Sequence, residues 1–120
     1  MLFRSQFLED PKRPTTYYGP HSGAALALNA LERPRRRVAI VGLGAGTMAA
    51  WGRAGDTFRF YEINPDVEAM ARAWFSFLKD SRAQTEVVLG DARIQLESEL
   101  ARGLSEDFDK IGRASCRERV

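Results

Sequence analysis

The sequence predicts an α/β chain built on a parallel β-sheet with flanking helices, and three observations carry that expectation. Val38-Ala39-Ile40-Val41 is a run of four apolar residues, as a strand buried on both faces requires, and it breaks into three alternating glycines, Gly42, Gly44 and Gly46. Two more strand-like runs follow, Thr57-Phe58-Arg59-Phe60-Tyr61-Glu62 and Thr85-Glu86-Val87-Val88-Leu89, each separated from the next by a helical pattern. Strands alternating with helices imply right-handed crossovers and a parallel sheet. The three runs end in the glycines, in Glu62 and in Gly90-Asp91. Sheets of this kind bind ligands beyond the carboxyl ends of their strands, so the convergence there is informative.

Composition narrows the class. The 120 residues allow one domain, and 44% hydrophobic with 28% charged content is ordinary for a globular chain. No window approaches eighteen uninterrupted apolar residues, so no membrane span is expected, and the first residues lack the apolar core of a signal peptide. The single cysteine, Cys116, permits no internal disulfide and fits a reducing compartment, but it lies in the tail set apart from the fold, residues 110–120, and so carries no redox information; a cytoplasmic setting is expected. The formal charge of +2 misleads, because residues 110–120 carry +3 and leave −1 for residues 1–109. No nucleic-acid footprint follows from that balance.

Each element has a local rationale. Residues 1–16 are polar and punctuated by Pro11 and Pro14, which reads as a connecting arm. Thr15-Thr16-Tyr17-Tyr18 has β-propensity, and Gly19-Pro20 turns the chain. Ser22 is an N-cap for a helix through about Leu31, with Leu26, Ala27, Ala30 and Leu31 expected on its inward face. Arg35-Arg36-Arg37 leads into the first strand as a solvated approach. A short helix is expected from Thr47 to about Arg53, ended by Gly52 and Gly55. Asn64-Pro65-Asp66 combines an N-cap, proline at the first helical position and an acid in the first turn. The helix it starts is expected to reach about Lys79, with Val67, Met70, Ala71, Trp74, Phe77 and Leu78 as a core stripe. A last helix is expected over residues 92–102, with Ile94, Leu96 and Leu100 inward.

Glu106-Asp107-Phe108-Asp109 resembles the lead-in to a fourth strand that the sequence does not supply. Residues 110–120 have neither helical nor strand periodicity and resemble the conceptual translation of a sequencing adapter, so they are set apart from the fold. The expected organisation is an arm over 1–16, an incomplete ligand-binding domain over 17–109 and a foreign tail over 110–120.

The site residues point to an adenosyl ligand. An acid about twenty residues past the first glycine suits a ribose, whose two hydroxyls can both donate to one carboxylate, and Glu62 stands there. Nicotinamide dinucleotides and S-adenosylmethionine both carry such a ribose. Gly-x-Gly-x-Gly departs from the dinucleotide fingerprint, with Thr47 in its final position, which disfavours a pyrophosphate. No Gly-Lys-Ser/Thr follows, so the loop is not a P-loop. Asp91 can accept from an adenine amino group, with Ala92 donating through its backbone. Taken alone, Asp91 is equally a helix N-cap and Glu62 a strand-end acid.

Four stretches together resemble the spermidine synthase (polyamine aminopropyltransferase) family: Tyr17 to Gly23, Val38 to Thr47, Phe60-Tyr61-Glu62-Ile63-Asn64-Pro65, and Val87 to Ala92. The likeness spans about residues 15–109 and is nearest to bacterial spermidine-synthase-like proteins, some of them fused to membrane segments. It implies a Rossmann-like class I methyltransferase fold, truncated here after the third strand. It also implies transfer of an aminopropyl group from decarboxylated S-adenosylmethionine to a polyamine such as putrescine, with a homodimer as a state of the full-length protein. On this resemblance Gly42, Gly44 and Gly46 pass the ligand's amino-bearing chain, Glu62 holds the ribose, Asp91 the adenine, and His21 lies beside the ligand.

Two positions depart from the family pattern. Ala45 replaces the aspartate that meets the donor's ammonium, which leaves intact S-adenosylmethionine, and hence a methyltransferase, as an alternative. The family's catalytic acid follows the fourth strand, and Asp107 and Asp109 precede that place, so no catalytic residue is assigned. A noncatalytic nucleotide-binding domain is the further alternative, and no metal ligands are expected.

Overall fold

The computed structural model describes residues 6–14, 19–103 and 108–113, the last four of these through their backbone. Helix α1 (Gly23–Asn29) precedes strand β1 (Arg37–Val41), and a 3-10 helix (Thr47–Trp51) leads to β2 (Thr57–Glu62). Helices α2 (Pro65–Trp74) and α3 (Phe77–Asp80), strand β3 (Gln84–Leu89), helix α4 (Ala92–Ala101) and strand β4 (Lys110–Arg113) complete the order. The sheet is wholly parallel in the order β3-β2-β1-β4. The chain moves outward from β1 to β3 and then returns across the sheet to β4, which creates a topological switch point beside β1. The arrangement is α/β and compatible with a Rossmann-like fold.

The fourth strand corrects the expectation that the sheet stops at three. Asp109 donates its backbone N–H to the Arg37 carbonyl at 2.8 Å, while its carboxylate accepts the Arg37 N–H at 2.8 Å and meets the Arg33 guanidinium at 2.8 Å. This clamp aligns the following backbone with β1, from Val38 opposite Lys110 to Val41 opposite Arg113. Strand pairing uses N–H and C=O groups that every residue here carries, so a segment without apolar periodicity fills the slot. Residues 15–18 and 114–120 lie outside the described residues, and with them the expected short strand before Gly19 and most of the tail.

The two faces of the sheet differ in kind because residues alternate along β2. Phe58 and Phe60 point into an apolar core with Val38 and Ile40 of β1, closed by Leu28, Met48, Ala49, Ala71 and Leu78. Arg59 and Tyr61 occupy the opposite face, where Arg59 lies in register with Glu86 of β3.

Three helix faces depart from their expected phase. Ser22 caps α1, its Oγ accepting the Ala25 N–H at 3.1 Å, but Ala25 and Leu28 face inward while Leu26 is exposed. The buried Arg36 guanidinium donates to the Leu28 carbonyl at 2.9 Å, which draws that turn onto the sheet, and the helix ends before Ala30. The helix after Asn64 breaks at Phe75, whose extended backbone separates α2 from α3. The Gln6 side chain occupies the break, donating to Ser76 Oγ at 2.6 Å and accepting the Ser76 N–H at 3.0 Å. The break resets the helical phase, so Phe77 and Leu78 are buried while Trp74, expected in the core, is 78% exposed. In α4, Ile94 and Leu100 point outward at 62% and 71% exposure, and the inward residue is Glu99.

Candidate functional site at the strand tips

The glycine loop begins where β1 ends. Gly42, Gly44 and Gly46 all have positive φ (90°, 58° and 86°), so the loop winds through left-handed backbone that other residues adopt only at a cost. Two of these glycines do different things. A Cβ on Gly44 would meet nothing within 4 Å, so its place is open. A Cβ on Gly46 would lie 3.0 Å from Leu78 Cγ, so this glycine admits α3 to the core and caps the 3-10 helix.

Glu62 is the centre of the site. It is 9% exposed at the tip of β2. One carboxylate oxygen accepts the Leu43 N–H at 2.9 Å and the other the Asn64 N–H at 3.0 Å. Two backbone donors satisfy one lone pair on each oxygen and leave the others to accept further hydrogen bonds. The neighbouring tips are tied in the same way: Gly42 donates to the Tyr61 carbonyl at 2.7 Å, and Gly90 to the Glu62 carbonyl at 2.8 Å.

A cavity of about 620 Å³ opens at these tips. Its walls include Gly42, Glu62 and Ile63 on one side and Asp91, Ala92 and Leu96 on the other. The volume lies in the range of small-molecule sites, and the walls mix apolar surface with a few polar groups. The structure thus brings together Gly42, Glu62, Asp91 and Ala92. Asp91 is exposed and serves as the N-cap of α4, one oxygen accepting the Arg93 N–H at 2.9 Å and the Ile94 N–H at 3.4 Å. Capping and ligand binding are compatible because the second oxygen is not engaged in the cap. Gly44, Gly46 and His21 are not among the lining residues; Gly46 is packed under Leu78 and His21 is exposed.

Arg93 and Glu97 also line the cavity, joined by an ion pair at 3.1 Å, and sequence reasoning did not single them out. The signal was their i, i+4 spacing on the helix that Asp91 starts. With Glu62, Asp91 and Glu97 against Arg93, the walls carry more acid than base. Among the described residues no group of three His, Cys, Asp or Glu side chains is placed to hold a metal ion. Asp109 lies at the start of β4, against Arg33 and Arg37 and at the opposite end of the sheet from the glycine loop. Asp107 lies outside the described residues. No helix among the described residues is long and apolar enough to cross a membrane.

The fold and cavity together make a parallel α/β arrangement, compatible with a Rossmann-like fold, with a cavity at its strand tips. No family model, curated protein or solved structure matches the chain.

Proposed function

We propose that this cleft binds the adenosyl moiety of a sulfonium nucleoside, and that the chain carries the donor half of a spermidine-synthase-like aminopropyltransferase domain with a class I methyltransferase fold. The observation that carries the reading is the Glu62 carboxylate, fixed by Leu43 and Asn64 and still able to accept from two ribose hydroxyls. Asp91 and Ala92 across the cavity supply an acceptor and a backbone donor for an adenine edge. The acidic balance of the walls suits a cationic sulfonium and opposes an anionic pyrophosphate.

In this reading a polyamine such as putrescine attacks the methylene beside the sulfonium. The C–N bond forms as the C–S bond breaks, methylthioadenosine leaves, and the new ammonium gives up a proton. The described acids at the strand tips are Glu62 and Asp91, which this reading gives to the ligand, and Glu97, which is paired with Arg93, so the proposal assigns donor binding to this chain and no catalytic residue. Ala45 favours a second reading, a methyltransferase using intact S-adenosylmethionine, because the loop has no acid there to repel the donor's carboxylate.

Equilibrium binding of decarboxylated and intact S-adenosylmethionine to the same protein decides between the two. Tighter binding of the decarboxylated donor is the expected result, and a clear preference for the intact donor selects the methyltransferase reading instead.

A further inference from the structure

Helix α4 forms one wall of the cavity, yet its one buried residue is not hydrophobic. Ile94 and Leu100 face outward, and the buried position on the sheet side is Glu99, 5% exposed. A helix of a globular domain ordinarily docks through an apolar stripe, and α4 has only the half-buried Ala92 and Leu96 in line with Glu99. Glu99 instead reaches the polar face of β2. Its Oε1 meets Arg59 Nη2 at 2.8 Å, and its Oε2 accepts from the Tyr61 hydroxyl at 3.2 Å. Arg59 also lies 3.6 Å from Glu86 of β3 and stacks over the Tyr61 ring at 5.5 Å. One carboxylate therefore joins α4 to β2, directly beneath the cavity that Tyr61 and Leu96 line.

We infer that Glu99, through Arg59 and Tyr61, is a positioning residue that sets α4, and with it Asp91, Ala92 and Leu96, at the correct distance from Glu62. Buried ion pairs add little net stability compared with apolar packing, but they demand a particular geometry. An apolar stripe tolerates a helix sliding by a fraction of a turn, whereas a carboxylate shared between a guanidinium and a phenol does not. The wall that carries the adenine contacts is thus held in register by a contact two turns further along its helix. The inference about the wall stands on the geometry alone; its consequence for ligand binding rests on the adenosyl reading above.

The experiment is a double-variant cycle, Glu99→Ala, Arg59→Ala and the pair together, followed by amide hydrogen exchange and by binding of decarboxylated and intact S-adenosylmethionine. Exchange without ligand is expected to accelerate by about tenfold within residues 92–101 in all three variants, with β1 and β2 unchanged and the pair no worse than either single change. Asp109→Ala, which loosens the other end of the sheet, serves as the control and leaves exchange in residues 92–101 as it was. Wild-type protection of residues 92–101 in Glu99→Ala, or effects that add in the double variant, overturns the positioning role. Binding is expected to weaken by about tenfold in the three variants and by less than about twofold in the control. Should the wild-type protein bind neither S-adenosylmethionine nor its decarboxylated form, the adenosyl reading fails while the exchange result still decides the role of Glu99. Glu99→Gln provides a folded comparison if the alanine variants lose the native state, and its expected effects lie between wild type and alanine.

Discussion

The Glu62 carboxylate accepts the Leu43 N–H at 2.9 Å, joining the tip of β2 to the glycine loop after β1. This side chain braces two strand tips while lining the cavity, and on the proposed reading it also holds the ligand, so the two roles can be separated. In Glu62→Gln only one oxygen remains for two backbone donors, so either Leu43 or Asn64 is left with an unsatisfied N–H. The expected loss is about 1–3 kcal/mol of stability, read as the shift in urea midpoint. Nucleoside binding is expected to weaken by at least about tenfold, and unchanged affinity would show that Glu62 is only a brace.

The buried pair of Arg36 and Asp56 holds the opposite end of the sheet. Asp56 accepts from Arg36 Nη2 at 2.6 Å, from the Arg36 N–H at 2.9 Å and from the Arg53 N–H at 2.9 Å. Burial alone would raise the Asp56 pKa, but the hydrogen bonds and charge of Arg36, with the Arg53 N–H, outweigh it and hold the carboxyl below its ordinary value. A carboxyl with a lowered folded-state pKa contributes stability that is complete above its unfolded value, 3.8, and is lost as pH falls through the lower folded value. The wild-type protein is therefore expected to lose stability below about pH 4. Asp56→Asn is expected to cost about 3–5 kcal/mol at neutral pH, because it strands a buried guanidinium, and to flatten that part of the acid profile. Chemical denaturation at a series of pH values checks both.

The glycines of the loop are not equivalent. Gly44→Ala meets no steric contact and pays only for left-handed backbone, about 1–2 kcal/mol. Gly46→Ala adds an approach of 3.0 Å to Leu78 Cγ inside the core, and is expected to be the more destabilising by a further 1 kcal/mol or so. Equal melting temperatures for the two variants would contradict the packing assigned to Gly46.

The break at Phe75 makes Trp74 and Phe77 a second informative pair. Trp74→Ala removes an exposed ring and is expected to change stability by less than about 0.5 kcal/mol. Phe77→Ala empties a buried site and is expected to cost about 3–5 kcal/mol. An unbroken helix with Trp74 in the core would reverse that order.

What was legible in the sequence was whatever local chemistry specifies. Thr57–Glu62 and the Asn64-Pro65 cap are found where their residues placed them, because a β-rich run and an N-cap act within a few positions. The meeting of Gly42, Glu62 and Asp91 followed from strand–helix alternation alone, since parallel strands bring their carboxyl ends to one side. The inward faces of the helices were less legible, because distant polar partners fix them. Arg36 turns α1 onto Leu28, Gln6 holds the break before Phe77, and Arg59 draws Glu99 inward past Ile94 and Leu100. The alternation of Phe58 and Phe60 with Arg59 and Tyr61 was the available sign that one face of the sheet is polar. Lys110–Arg113 were missed as a strand because backbone pairing beside β1 asks for no apolar pattern.

On the proposed reading the cleft at Glu62 takes an adenosyl sulfonium and not a dinucleotide. Calorimetric titration of the protein with S-adenosylmethionine, its decarboxylated form and NADH tests it most directly. Binding of one or both sulfonium nucleosides at least about tenfold tighter than NADH, lost together in Glu62→Gln, is the expected result. Preferential binding of NADH, or sulfonium binding that Glu62→Gln leaves intact, would contradict it.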